Sequence, residues 1–277
     1  MKIIIDALVV LLLVKVKFLL AWDTPRPANP GEFPYQVSLQ WGSQGIPLGH
    51  SCSGAIINKF WIISSGYCVS HISTMTIRAI KVGFHNINEE DEFVQVLEIA
   101  QFIIHEKYEG GNMIGSYLSY DLGLIKLATA IVFNNRVNAL KLPSGKKYGK
   151  SKFKLEYNLV LSGWGSIAVG VTENHPKVLY TVQLPVIPNK ICQQSIRTVI
   201  PNYELSDTQL CTRPIDGSFA ACIGDYGGPV IQYNQSNEPI LVGIYNWAVI
   251  PCDTNGLPPV YTRITSFKQW IKNKIKT

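Results

Sequence analysis

No Cys-x-x-Cys pair occurs anywhere in the 277 residues, which removes the ligand spacing of a zinc finger and the thiol pair of a redox motif. Long apolar runs are missing as well. The cleanest stretch, Ala7 to Val14, lies between Asp6 and Lys15 and is too short to span a bilayer. There are no internal repeats and no low-complexity tracts, and helical periodicity is absent until Ser266–Ile275. Charge is sparse: 16% of residues are charged and the formal net charge is +6, a mild excess that makes no case for nucleic acid. With 47% hydrophobic residues, the composition is that of a chain that buries a core and not that of a disordered one.

What is present at the start reads as a targeting segment. Lys2 precedes the apolar run, whose length fits a secretory signal better than a buried helix or an anchor. A signal peptide over residues 1–21 is therefore expected, although Leu19-Leu20-Ala21 matches a small-residue cleavage site poorly. Its removal takes away three lysines and one aspartate and lowers the charge from +6 to +4. The lysines at 146, 147, 150, 152 and 154, and those at 268, 272, 274 and 276, read first as solvated surface. Six cysteines remain: Cys52, Cys68, Cys192, Cys211, Cys222 and Cys252. An even count behind a signal peptide implies three disulfides, with about 15 pairings open. Asn234-Gln235-Ser236 is an acceptor triplet for an N-glycan at Asn234.

Short β-rich runs recur between turn signals, among them Tyr35–Leu39, Trp61–Ser64, Leu122–Lys126, Leu159–Ser162, Val178–Val186, Ile240–Tyr245 and Val260–Arg263. Several alternate apolar and polar residues, as strands with one wet face do. Many short strands followed by one amphipathic helix, with Phe267, Trp270 and Ile271 on its apolar face, predict an all-β sandwich or barrel. The lysine-, glycine- and serine-rich stretch 140–156 is the natural joint between two halves.

Six ordered motifs sharpen this: PYQVSL (34–39), CSGAIINKFWIISSGYC (52–68), YDLGLIKL (120–127), SGWG (162–165), GDYGGPV (224–230) and PPVYTRI (258–264). From Pro34 to Trp270 the sequence resembles a chymotrypsin-like serine protease. HEKY (105–108) and the general wording are similar to the mite digestive trypsins of the group 3 allergen lineage, and within it to the inactivated protease paralogues of the scabies mite. The resemblance implies two six-stranded antiparallel β-barrels, here 31–140 and 141–265, a C-terminal helix over 266–277, and bridges Cys52–Cys68, Cys192–Cys211 and Cys222–Cys252.

The same resemblance locates the catalytic positions. The family's base lies in Ala-Ala-His-Cys, where this chain has Ser65-Gly66-Tyr67-Cys68; its nucleophile lies in Gly-Asp-Ser-Gly-Gly-Pro, where Tyr226 stands; only the carboxylate, Asp121, matches. A phenol with pKa about 10 is a poor acceptor at neutral pH beside an imidazole of about 6.5. His71 follows Tyr67 by one helical turn's worth of sequence, and the Cys68 bridge is expected to carry it away from the cleft. His85, His105 and His175 read as surface histidines. In the specificity pocket the resemblance places Ala220 where trypsin has aspartate, Asn246-Trp247-Ala248 along the wall, and Pro259 in place of a glycine; Tyr226 is expected to fold its ring into the narrowed entrance. Pro25–Gly31 replaces the apolar segment whose freed ammonium pairs with the aspartate before the nucleophile. Asp225 then needs another partner, since an unpaired buried carboxylate is costly, and Ser38 and His50 stand where inactive precursors keep such a cluster. Asp121 is expected to accept from Tyr67 or Asn246.

Taken together, the three replacements predict a secreted protein that is not an enzyme. The resemblance implies a binding protein that inhibits host complement in the service of a parasitic mite. The alternative is a decoy or regulator that binds protease inhibitors or the substrates of active proteases. No metal or cofactor is expected, and candidate contact loops are 110–117 and 169–177.

Overall fold

A computed structural model describes residues 25–43, 46–110, 119–144, 158–165, 176–213, 225–249 and 257–276. Fourteen strands and three helices lie in these segments. The first sheet holds β2 (Gln36–Ser43), β3 (Ile46–Asn58), β4 (Trp61–Ser64), β5 (Ile77–Val82), β6 (Gln95–Leu97), β7 (Ile99–Ile104) and β8 (Gly123–Leu127), in the order β6-β5-β2-β3-β4-β8-β7. The second holds β1 (Arg26–Pro27), β9 (Asn158–Gly163), β10 (Tyr180–Ile187), β11 (Gln209–Thr212), β12 (Pro229–Tyr233), β13 (Pro239–Trp247) and β14 (Val260–Arg263). Its order is β1-β10-β11-β14-β13-β12-β9, and a β9–β10 pairing closes it into a barrel of six strands with β1 alongside. The strand pairings are antiparallel.

The expected all-β class is therefore what the chain adopts, with one refinement. The second sheet closes, and the first remains an open half-barrel between β6 and β7. Strand character follows from the side chains. All four residues of β4, Trp61 to Ser64, are buried, as a strand between covered faces requires, while β10 buries Val182, Leu184 and Val186 in alternation, the period of a sheet with one core face. One continuous apolar cluster joins the halves, with Val37, Leu39, Ile62 and Ile125 from the first and Leu159, Val182, Leu184 and Tyr245 from the second.

The helices are short. The C-terminal helix α3 (Ile264–Lys274) begins two residues before its sequence signal, because Ile264, Phe267 and Ile271 together make the buried stripe at i, i+3 and i+7. Helix α2 (Asn189–Arg197) buries Cys192 and Ile196. Helix α1 (Gly66–Thr74) is absent from the sequence expectations. It is set by Ser65, whose side chain accepts from the Cys68 N–H at 3.1 Å, capping a segment too short and too β-branched to announce itself by periodicity. Two bridges, Cys52–Cys68 and Cys192–Cys211, fasten α1 to β3 and α2 to β11. The pair Cys222–Cys252 lies outside the described residues. Among the described residues no helix is long and apolar enough to cross a membrane.

Candidate functional site

Three elements bring together the positions that the resemblance assigns to catalysis: the first turn of α1 with Tyr67, the approach to β8 with Asp121, and the turn before β12 with Tyr226. Asp121 is fully buried. Its Oδ1 accepts the backbone N–H of Tyr67 at 2.7 Å, and its backbone carbonyl accepts from Thr262 Oγ1 at 2.8 Å. The expectation that Asp121 accepts from Tyr67 thus holds through the main chain; the helix N-terminus occupies the carboxylate. Its other oxygen, Oδ2, has no hydrogen-bond partner among the described residues. Burial raises the Asp121 pKa from 3.8 to about 7, against the pull of the Tyr67 and Gly66 backbone donors. The helix N-terminus, which favours an anion, therefore offsets only part of the desolvation.

Tyr226 is 7% exposed. Its ring stacks on Tyr245 with centroids 5.3 Å apart and planes 23° apart, and it lies 5.9 Å from the half-buried ring of Tyr67. Tyr245 in turn meets Tyr261 at 5.7 Å, so four phenols form a ladder from α1 into the second barrel. Burial, with smaller contributions from Tyr67 and Asp225, pushes the Tyr226 phenol up to about 12, so it keeps its proton at neutral pH. Gly227 makes the turn possible: its φ is +77°, and a Cβ there would stand 2.1 Å from Ser64 Oγ, a position for glycine alone.

The stretch expected to form the pocket wall carries a bulge. The β13–β14 register slips between Tyr245 and Trp247, leaving Asn246 to turn its Nδ2 towards Thr262 Oγ1 at 3.3 Å; such bulges re-aim side chains beside sites. Asn246 and Trp247 are each 3% exposed, Ala248 is half-buried and Pro259 buried. Trp247 packs edge-on against Tyr203 at 5.3 Å. Ala220 lies outside the described residues.

The second polar group involves Ser38, His50 and Asp225. Ser38 Oγ and His50 Nδ1 are 2.9 Å apart, with Gln40 Nε2 donating to the same serine oxygen at 3.2 Å. Asp225, 3% exposed, receives the Gly165 N–H on Oδ1 at 3.0 Å. A Cβ on Gly163 would stand 1.9 Å from the Asp225 carboxylate and one on Gly165 2.2 Å from it, so SGWG is a cradle for that carboxylate. A hollow of about 10 Å³, the size of one water, adjoins it between β9 and β10.

Several residues behave differently from their sequence reading. His71 is exposed, yet its ring lies 4.1 Å from that of Tyr67 and its Nδ1 is 2.9 Å from the Tyr67 carbonyl: α1 turns it back over Tyr67. His105 is no plain surface histidine. It is half-buried between Tyr120 at 5.1 Å, Trp270 at 4.9 Å and Phe267 at 5.2 Å, and burial lowers its pKa. His175 and the loop 111–117 lie outside the described residues, as does 169–175. Asn234 is tied into the β12–β13 turn, its Nδ2 donating to Glu238 at 3.0 Å and its Oδ1 accepting the Ser236 and Glu238 N–H groups. Tyr245, the partner of Tyr226, was not singled out from the sequence; its position directly before Asn246-Trp247-Ala248 is the signal that could have found it.

Comparison with known proteins bears on this geometry. The Trypsin family model matches residues 24–271. The chain is 32% identical to the serine proteinase stubble of Drosophila melanogaster over 91% of its own length and 30% of that protein's. It is 31% identical to human serine protease 1 and 32% identical to bovine anionic trypsin, each over 87% of this chain and 84% of the relative. The expectation that the chain is not an enzyme is corrected by these matches: across most of its length its relatives are named serine proteases and trypsins. That expectation extended three local replacements, Tyr67, Tyr226 and the segment Pro25–Gly31, to the activity of the whole protein, and its relatives are named proteases.

Proposed function

We propose, for a chain that belongs to the trypsin family of serine proteases, that it is secreted and works by holding other proteins on its surface. The partners to which the resemblance to scabies-mite paralogues points are complement components of a host. One observation carries the reading. The Tyr226 ring lies flat on Tyr245 and is almost wholly covered, so this side chain is packed into the core instead of being presented to a partner. Recognition then falls to the outer face of a disulfide-tied scaffold, where loops can vary without disturbing the core.

The reading includes a signal peptide through residue 21, halves over 31–140 and 141–265, a Cys222–Cys252 bridge and a glycan at Asn234. It also treats Ser38, His50 and Asp225 as a zymogen-type cluster that holds the turn before Tyr226 without an inserted chain terminus.

The test is to titrate the purified secreted protein into human serum, scoring complement-mediated lysis, and to pass purified complement components over it on a sensor surface. Dose-dependent loss of lysis with saturable binding is expected. Undiminished lysis with no component retained overturns the complement assignment; retention of protease inhibitors in its place would establish the decoy reading.

A further inference from the structure

Tyr67 and Tyr226 meet across the joint between the halves. Tyr67 rises from the first turn of α1, and Tyr226 stands in the turn before β12. Their ring centroids are 5.9 Å apart with planes inclined at 55°, within the contact range of tilted aromatic pairs. Both backbones are pinned. The Tyr67 N–H donates to Asp121 Oδ1 at 2.7 Å, and its carbonyl accepts from Ser70 Oγ at 2.8 Å. The Tyr226 carbonyl accepts the Ser53 N–H at 2.8 Å, and the Cys52–Cys68 bridge fastens the residue next to Tyr67. The two phenol rings are thus held side by side and do not meet by chance.

The pair is unequally exposed. Tyr67 is half-buried, with the ring of exposed His71 against it at 4.1 Å, so an oxidant in solution reaches this phenol first. Tyr226 is 7% exposed and is reached through Tyr67. Tyr245 also touches Tyr226, but with planes only 23° apart. Near-parallel rings present faces to one another, so the tilted Tyr67 is the better-placed partner for a bond at a ring-edge carbon.

We infer that Tyr67 and Tyr226 form a modification site, joining as an intramolecular dityrosine under a one-electron oxidant. The co-reactant is hydrogen peroxide acting through a haem peroxidase. Tyr67 gives up one electron and one proton; an electron and a proton then pass from Tyr226 to Tyr67, which moves the radical inward. A second oxidation of Tyr67 leaves two phenoxyl radicals in contact. They couple at the Cε carbons beside the hydroxyls, and the hydrogen on each of those carbons moves to its own phenoxyl oxygen, restoring both phenols. In sum two C–H bonds break and one C–C bond forms, while the peroxide takes up two electrons and two protons and becomes two waters. Coupling within the chain outruns coupling between chains because the partners are already positioned. The product staples α1 to the second barrel and closes a long loop across 140–156, a constraint that stabilises by restricting the unfolded chain. The inference does not depend on the complement reading.

The experiment treats the whole purified chain with hydrogen peroxide and a haem peroxidase. Dityrosine fluorescence, gel mobility after reduction and mass spectrometry of the digest give the readouts. A monomer is expected whose digest holds one cross-linked peptide pair, carrying Tyr67 and Tyr226 and lacking two hydrogen atoms. Tyr67→Phe and Tyr226→Phe, which keep the rings and lose the hydroxyls, should each lower monomer dityrosine at least about tenfold. Tyr108→Phe, within electrostatic reach of Tyr67, and Tyr233→Phe, at an exposed phenol, should leave it within about twofold. The stapled fraction should melt about 5–10 °C above the untreated protein, a gain that oxidative damage cannot mimic and that treated Tyr67→Phe should lack. Unfolding temperatures of the untreated variants establish that each is folded. A monomer without dityrosine, cross-links between chains only, a pair mapped to other tyrosines, yield retained in either Tyr67→Phe or Tyr226→Phe, or no rise in Tm each overturns the assignment.

Discussion

Asp121→Asn converts the buried carboxyl of the site into a measurement. The Asp121 pKa in the folded chain is about 7 against an ordinary 3.8. A folded-state pKa raised in this way means that the native chain holds a proton the unfolded chain has released. The Asp121 contribution to stability is therefore greatest below pH 3.8, falls as pH rises, and levels off above pH 7. At about 1.4 kcal/mol per pH unit, the fall between pH 5 and pH 8 amounts to roughly 3 kcal/mol, or about 6–12 °C in Tm for a chain of this size. Asparagine keeps the acceptor for the Tyr67 N–H and cannot ionise. Its amide nitrogen stands where Oδ2 has no partner among the described residues, a loss of about 1–3 kcal/mol at every pH. The variant should thus be the less stable form at pH 5 and should gain on the parent steadily to pH 8. His105 acts in the opposite direction: its pKa is lowered, so its contribution is lost as pH falls from 6.5 through the folded value. It is common to both proteins and cancels in the difference. Calorimetric Tm at half-unit intervals gives the profile, and a difference flat to within about 2 °C would refute the account of a buried, destabilising charge.

The other expectations follow from single contacts. Tyr226→Ala removes a ring packed on Tyr245 and should cost about 3–5 kcal/mol in urea unfolding. The void it leaves is lined by aromatic rings and should accept benzene, raising the Tm of the variant and not that of the parent; an equal response of both would show that the ring does not fill that space. Gly227→Ala puts a Cβ 2.1 Å from Ser64 Oγ at a positive φ, and a loss of about 3 kcal/mol or more is expected; a change under about 1 kcal/mol would mean that the turn relaxes. His105 should titrate below pH 6.5 in NMR spectra, its ring being half-buried among Tyr120, Phe267 and Trp270, and Trp270→Ala should move it back towards the ordinary value. A midpoint above 6.5 in the parent would contradict this environment.

Much of the fold was legible because strand signals are local. The alternation in β10 and the apolar run in β4 are written in consecutive residues, and two of the three bridges implied by the family resemblance are found as expected. The candidate site was legible as a set of positions, since Tyr67, Asp121 and Tyr226 each sit inside a distinctive motif. What the motifs do not carry is how side chains from distant segments meet. Asp121 and Tyr67 were expected to interact, but only α1, which has no periodic signature, reveals that the donor is a backbone N–H. The burial of His105 depends on Trp270 arriving from the far end of the chain, and HEKY says nothing of that. The meeting of the Tyr67 and Tyr226 rings likewise joins two residues that no sequence window contains together. The expected lack of activity failed for another reason: it rested a property of the whole protein on two side chains and one short segment.

Asp121 also has a mechanical consequence. Its carboxylate receives the first turn of α1, and its carbonyl receives Thr262 of β14, so one residue rivets a helix of the first half to a strand of the second. Relative sliding of the halves would shear both bonds at once. The seam between the halves is therefore tied at Asp121, and any partner gripping the outside of either half pulls on the same rivet.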